Sequence, residues 1–185
     1  VWKRTDLKCR HFRGPGSSPV LHNGRLILTF DGIDQQYLVA LDTKTGKNVW
    51  KTKRSTNFRD QDKKGKPRGG GDYRKAYSTP IIVTHKGAEQ LISPGAKAAI
   101  AYDVATGKEL WQVEHGGYSV ASRPVAFKDM VMINTGYGRA QLWAVRLGGS
   151  GKLGGKHIRW KQTKSMPRRS SPLVVDGLVY AIDDD

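Results

Sequence analysis

The chain has 185 residues, 37% hydrophobic and 26% charged, an ordinary balance for a folded domain with a core of its own. Lysine and arginine number 32 against 16 acidic residues, so the formal net charge is +16, which favours polyanions or anionic surfaces as partners. No apolar run approaches the length of a membrane-spanning helix, the single Cys9 excludes an internal disulfide, and Val1 follows neither an initiator methionine nor a signal-peptide pattern, as expected of a mature or internal piece.

In chain order, Trp2 stands alone before a basic, glycine-containing connector, residues 3–18, which holds His11, Phe12 and Pro15 and has no periodicity. Pro19–His22 and Arg25–Phe30 are predicted strands joined by the Asn23-Gly24 turn, the strongest short hairpin signal available. Gln36–Leu41 and Asn48–Lys51 supply a third and a fourth strand. The plan repeats with Pro80–Thr84, a turn at Lys86-Gly87, Gln90–Ser93, Ala98–Tyr102 and Glu109–Val113. It repeats again with Pro124–Phe127, Met130–Asn134, Gln141–Arg146 and His157–Lys161, and the Asp176-Gly177 turn joins two strands of a further unit. Nowhere does an apolar stripe recur at helical spacing, so very little helix is expected.

Two landmarks fix the period. Ala40-Leu-Asp-Thr-Lys-Thr-Gly-Lys-Asn-Val-Trp50 and Ala101-Tyr-Asp-Val-Ala-Thr-Gly-Lys-Glu-Leu-Trp111 share the pattern A-x-D-x-x-T-G-x-x-x-W. In each, the Asp can accept from backbone N–H groups of the turn and Gly46 or Gly107 can supply positive φ. Pro19, Pro80, Pro124 and Pro172 each open an apolar run, where proline is tolerated. Pro19 to Trp50 and Pro80 to Trp111 are both 31 residues; Pro124 to Trp160 is 36, lengthened by the glycine-rich stretch Gly148–Gly155, read as a flexible hairpin tip. Trp2 reads as the closing Trp of a preceding unit.

The pattern resembles the tryptophan-docking motif of the pyrroloquinoline-quinone-like (quinoprotein-type) β-propellers, and Leu91–Tyr102 is similar to blades of that family. The resemblance implies an all-β fold of antiparallel four-stranded blades, a single partial propeller domain over residues 1–185. Blades are expected at about 19–52, 80–114 and 124–162, with a partial one at 172–185, as an arc of an eight-bladed wheel. Each Trp would pack against the neighbouring blade.

One segment exceeds what blades require. Residues 51–75 hold ten Lys or Arg against three Asp and include Gly69-Gly70-Gly71, and they are expected to form a mobile basic insertion. Phe58, Tyr73 and Tyr77 interleave aromatics with the charge, which keeps open a polyanion or nucleic-acid surface.

No catalytic, cofactor-binding or metal-binding residues are assigned. The five histidines, His11, His22, His85, His115 and His157, lack ligand spacing and read as surface residues. Gly148–Lys156 fails the phosphate-loop pattern, and Asp42 and Asp103 read as turn formers. Quinoprotein dehydrogenases carry adjacent cysteines and calcium-binding carboxylates, and Cys9 has no neighbour. The leading expectation is a non-catalytic scaffold with a protein partner, similar in architecture to the propeller subunit of the outer-membrane β-barrel assembly machinery, and periplasmic or extracellular. The alternatives are a fragment of a quinone-dependent alcohol or sugar dehydrogenase, needing pyrroloquinoline quinone and calcium, and a polyanion-binding module using 51–75.

Overall fold

The computed structural model describes residues 1–11 and 13–184; Phe12 of the connector and the terminal Asp185 lie outside the described residues. The first sheet runs β1 (Val20–His22), β2 (Arg25–Asp31), β3 (Gln36–Asp42) and β4 (Asn48–Lys53). The second contains β5 (Ile81–His85), β6 (Ala88–Pro94), β7 (Ala98–Asp103) and β8 (Glu109–Glu114). The third contains β9 (Val125–Phe127), β10 (Met130–Asn134), β11 (Leu142–Arg146) and, after the short β12 (Gly151–Lys152), β13 (Ile158–Gln162). A last hairpin pairs β14 (Leu173–Val175) with β15 (Leu178–Tyr180). Pairing within each four-strand unit is antiparallel between chain neighbours.

The turn chemistry accounts for the hairpins. Asn23-Gly24, Lys86-Gly87 and Asp176-Gly177 all place both central residues at positive φ, the twist that joins antiparallel strands through two residues. At the recurrent turn, Asp42 Oδ1 accepts from the backbone N–H of Lys44 (3.1 Å) and Thr45 (2.7 Å) and from the Thr45 hydroxyl (2.8 Å). Asp103 Oδ1 repeats this with Thr106 N–H (2.7 Å) and hydroxyl (2.6 Å), so both carboxyls are held below their ordinary range by the threonine they accept from.

Alternation builds the stack. Leu38 and Ala40 of β3 face the second sheet and share a core with Leu91, Ala98, Ile100 and Tyr102, while Tyr37, Val39 and Leu41 face the opposite way onto Trp2 and Leu7. On β7, Ala99 and Ala101 turn toward the third sheet, where Val131, Ile133, Trp143 and Val145 complete a second core. Strands buried on both faces read as near-continuous apolar runs, which is why Ala98–Tyr102 shows no polar alternation. Sheets stacked face to face in chain order are propeller blades.

The repeat is visible in register as well as sequence. Ala40 pairs with Trp50, Ala101 with Trp111 and Ala144 with Trp160, and next to each pair the strand carrying the tryptophan bulges by one residue, Val49, Leu110 or Arg159. The indole beyond that point does not behave alike in every blade. Trp2 donates to Thr43 O (2.8 Å) and lies on Gly46, where an added Cβ would come within 2.5 Å of the ring. Trp50 donates to Val104 O (3.0 Å) and lies on Gly107, with 2.6 Å to the ring. Trp111 instead donates to Gln90 Oε1 of its own sheet (2.9 Å), because the third sheet has no A-x-D-x-x-T-G turn to receive it. Trp50 and Trp111 therefore share a strand position but not a hydrogen-bond partner.

The glycine-rich stretch explains the difference and corrects another expectation. Gly148–Gly155 is not a free hairpin tip: β12 pairs in parallel with β8, Gly151 opposite Trp111 and Lys152 opposite Gln112, and becomes a fifth strand of the second sheet. Leu153 N–H donates to Gln112 O (2.8 Å), its side chain is buried in the same core as Trp111, and Lys152 pairs with Glu114 at 2.9 Å. The third blade therefore clasps the second by lending it a strand rather than by offering a turn to its tryptophan.

The prolines mark blade entries that are tied to one another. Each lies one residue before its strand, and the residue ahead of the proline reaches the next entry: Ser18 N–H donates to Thr79 Oγ1 (2.8 Å) and Arg123 N–H to Ser171 Oγ (2.9 Å). Between them, Ser78 Oγ donates to Ser122 O (2.8 Å).

Candidate functional site

Residues 51–75 are folded, contrary to the mobile insertion expected. Lys51 to Lys53 belong to β4, so the departure from the blade starts at Arg54. Arg54 is 5% exposed and holds Asp31 of β2 through two contacts (2.6 and 2.8 Å), while also donating to Ser93 of β6 (2.7 Å to Oγ, 3.2 Å to O). Burial works against its charge, but Asp31, with Tyr102 and Glu109, more than offsets that and raises its pKa. The guanidinium thus locks the start of the insertion into the seam between two blades.

Further on, the chain doubles back. Asp62 N–H donates to Lys66 O (2.8 Å), Asp62 Oδ1 accepts from Lys64 and Lys66 N–H (2.8 and 2.9 Å), and Gln61 bridges Pro67, closing a tight hairpin. Its base is clamped by Arg74, which holds Asp60 with two contacts (2.8 and 2.6 Å) and lies over the Phe58 ring. Arg74 therefore pulls the Asp60 carboxyl down. The short 3₁₀ segment Arg68–Arg74 then seats Gly71 against Ile33 O, where φ of +90° and a 2.5 Å approach leave room for no side chain. Arg59, Lys63, Lys64, Lys66 and Arg68 remain exposed, and none forms an ion pair with a described residue.

The end of the insertion walls a cavity of about 410 Å³ where blade entries converge. Lys75, 1% exposed, forms its floor with Tyr77 and is ion-paired to Asp72; Arg13 and Arg169 stand at its rim. Tyr77 and Arg169 occupy the same repeat position, three residues before Pro80 and Pro172. Tyr118 and Tyr137 form the remaining aromatic wall, joined by reciprocal backbone hydrogen bonds (3.1 and 2.8 Å), with Arg169 over the Tyr137 ring at 5.4 Å. The Tyr77 hydroxyl is buried and meets no hydrogen-bond partner among the described residues. Cations outnumber carboxylates three to one in this lining, and the arrangement is suited to an anion with some planar or apolar surface.

Sequence reasoning assigned no site residues and missed this cavity, because its lining comes from five separated segments whose convergence only the fold creates. A weak signal existed in the recurrent position three residues before each proline. The histidine expectation needs one correction: His115 is buried beside Trp143, accepts from Gly117 N–H (3.2 Å), and has its pKa pushed down to about 3 by burial with Lys97 adding to it. His11, His22, His85 and His157 are half-buried, and His22 meets Glu89 at 2.9 Å. Among the described residues no group of three or more His, Cys, Asp or Glu is placed to hold a metal ion. The Cys9 thiol is half-buried and raised to about 11 by burial, then Asp34 and Asp31, which leaves it protonated and unreactive.

Stacked four-stranded blades, with the indoles of Trp2 and Trp50 on the following blade's turn, define an arc of a quinoprotein-like β-propeller. A family model described as outer membrane protein assembly factor BamB matches residues 1–182, and the chain belongs to that family. Among solved structures it is similar to BamB from Moraxella catarrhalis, with 14% identity, a TM-score of 0.57 and coverage of 90% of this chain and 43% of that one. It is also similar to quinohemoprotein alcohol dehydrogenase from Comamonas testosteroni (22% identity, TM-score 0.53, 84% of this chain and 22% of that). A europium-containing methanol dehydrogenase gives 18% identity and a TM-score of 0.52 over 84% of this chain and 25% of that one. At these identities the likeness is one of fold, and the chain spans less than half of each of these proteins. Comparison with curated proteins returns no match. Among the described residues no helix is long and apolar enough to cross a membrane.

Proposed function

We propose that this chain is part of a non-catalytic quinoprotein-like propeller, an arc of a larger wheel, that serves as a protein-interaction scaffold outside the cytoplasm, periplasmic or extracellular. The observation that carries the reading is the composition of the cavity at the blade entries. A calcium-held quinone needs a cluster of oxygen ligands around a divalent cation. Here the one carboxylate, Asp72, is engaged by Lys75, and Arg13 and Arg169 supply positive charge beside it, so these residues do not fit that group. Membership of the BamB family supports the scaffold, and the contacts of Trp2 and Trp50 support tryptophan docking as what keeps its blades rigid.

The competing reading is a dehydrogenase fragment, favoured by the likeness of fold to two alcohol-oxidising dehydrogenases, one of them a quinohemoprotein. One titration separates them: pyrroloquinoline quinone and calcium are added while cofactor absorbance and reduction of an artificial electron acceptor are followed. The scaffold predicts neither saturable quinone binding nor alcohol-dependent reduction. Stoichiometric binding with substrate-dependent turnover would overturn it. In the same preparation a photoreactive residue at Tyr73, which is 39% exposed beside the cavity, is expected to cross-link to a discrete protein partner.

A further inference from the structure

We infer that the cavity between the blade entries is a receptor for a carboxylate carried on an acidic segment of the partner protein, with the lysine-tipped hairpin as its outer guide. The inference rests on the scaffold reading and gives the partner its chemistry. Three independent features point the same way. At the bottom, beside the nearly inaccessible Lys75 and the Asp72 it is ion-paired to, the Tyr77 hydroxyl is buried and lacks an acceptor among the described residues. A carboxylate oxygen entering there supplies that acceptor, and a buried hydroxyl otherwise left unpaired makes the gain larger than an exposed contact would. At the rim, the Arg169 guanidinium rests on the Tyr137 ring and makes no hydrogen bond or ion pair with a described residue, an orientation that leaves its planar fork to a carboxylate.

The third feature selects a peptide chain over a small acid. Positive charge does not stop at the cavity: Arg68 leads into the 3₁₀ segment that ends at its wall, and Lys63, Lys64 and Lys66 line the tip of the hairpin clamped to that segment by Arg74 and Asp60. A small anion would need only the cavity. An extended acidic segment uses both, its charges following the hairpin and one side chain entering the pocket. The hairpin is held by Asp62 and by the Asp60 clamp before any ligand arrives, so little ordering opposes binding.

The test uses the chain as it stands with a fluorescein-labelled oligoglutamate peptide, read by anisotropy, against Arg169→Gln, Tyr77→Phe and the double variant Lys63→Ala/Lys64→Ala. Loss of a charge-assisted contact predicts about tenfold weaker binding for Arg169→Gln, and loss of the hydroxyl about fivefold for Tyr77→Phe. The hairpin variant is expected to weaken binding at low salt and to flatten its salt dependence, since its lysines act at longer range. Free acetate at high concentration should compete with the peptide in the parent protein and lose that ability in Arg169→Gln. Unchanged affinity in both cavity variants, with all loss in the hairpin variant, would show charge attraction without a receptor and overturn the inference. Tighter binding of a labelled oligothymidine than of oligoglutamate, equally sensitive to Arg169→Gln, would overturn it in favour of nucleic acid. Repeating the Tyr73 cross-link in Arg169→Gln separates the two levels: a partner retained without loss sinks the receptor alone, whereas peptide binding with no partner sinks the scaffold alone.

Discussion

At the scale of single residues, two buried charges or would-be charges hold most of the leverage. Arg54 and Asp31 are each 1% exposed at the side chain, so removing one leaves the other uncompensated in a seam between blades. Arg54→Ala is expected to lose about 3 to 5 kcal/mol of unfolding free energy, the range for breaking a buried pair, measured by urea melts. Arg54→Met with Asp31→Leu should lose much less, because no orphaned charge remains. His115 works by staying neutral, since its Nδ1 accepts from Gly117 N–H. Its folded pKa of about 3 lies below the ordinary 6.5, so the unfolded chain binds the proton first and stability falls as pH drops from about 6.5 toward 3. The expected slope in the upper part of that window is about 1.4 kcal/mol per pH unit, and His115→Gln should flatten it. None of this was legible in the sequence, where Arg54 sits in a basic run and His115 beside glycines. Both owe their character to neighbours more than twenty residues away or to burial.

At the scale of elements, the turns were legible and the strand exchange was not. Asn23-Gly24, Lys86-Gly87 and Asp176-Gly177 announce their geometry because few residue pairs tolerate two positive φ values in succession. The parallel pairing of Gly151–Lys152 with β8 left no trace, since two residues carry no period and glycine no preference. Gly107 separates conformational from packing demands. Gly87→Ala, at φ +78° with open space around it, should cost only the backbone strain, about 1 kcal/mol. Gly107→Ala adds a clash with the Trp50 indole and should cost about 2 to 4 kcal/mol. Equal costs in thermal melts would mean that Trp50 is not seated on that turn. For the insertion, composition predicted exposure correctly only at the tip. Trypsin is expected to cut first after Lys63, Lys64 or Arg68, and to spare Arg54 and Lys75 until the chain unfolds, which mass spectrometry of early fragments resolves.

At the scale of the whole molecule, the period of the repeat carried the fold because each blade obeys the same local rules and touches only its neighbours. Trp160 and the proline at 124 were enough to place the third blade despite its divergent turn, since Ala144 keeps the pairing of Ala40 and Ala101. Function was less legible, because a binding cavity assembled from blade entries has no period of its own. The same nearest-neighbour logic fixes how stability is distributed. The second blade is enclosed by a core on each face, and its β6 and β7 contain Leu91, Ile92, Ile100 and Ala101, all fully buried. By contrast, the β14–β15 hairpin leaves Leu173, Leu178 and Tyr180 between 52% and 60% exposed and meets the third blade mainly through Val174 and Val179. Opening the hairpin uncovers one small cluster, whereas opening the second blade destroys both large cores. Native-state hydrogen exchange should therefore rank the amides of Leu91 to Ile92 and Ile100 to Ala101 slowest, at the global unfolding free energy, and those of Val174 and Val179 several kcal/mol faster. Uniform protection across all blades would mean that the units fold as one cooperative block, and the nearest-neighbour account of this propeller would have to be abandoned.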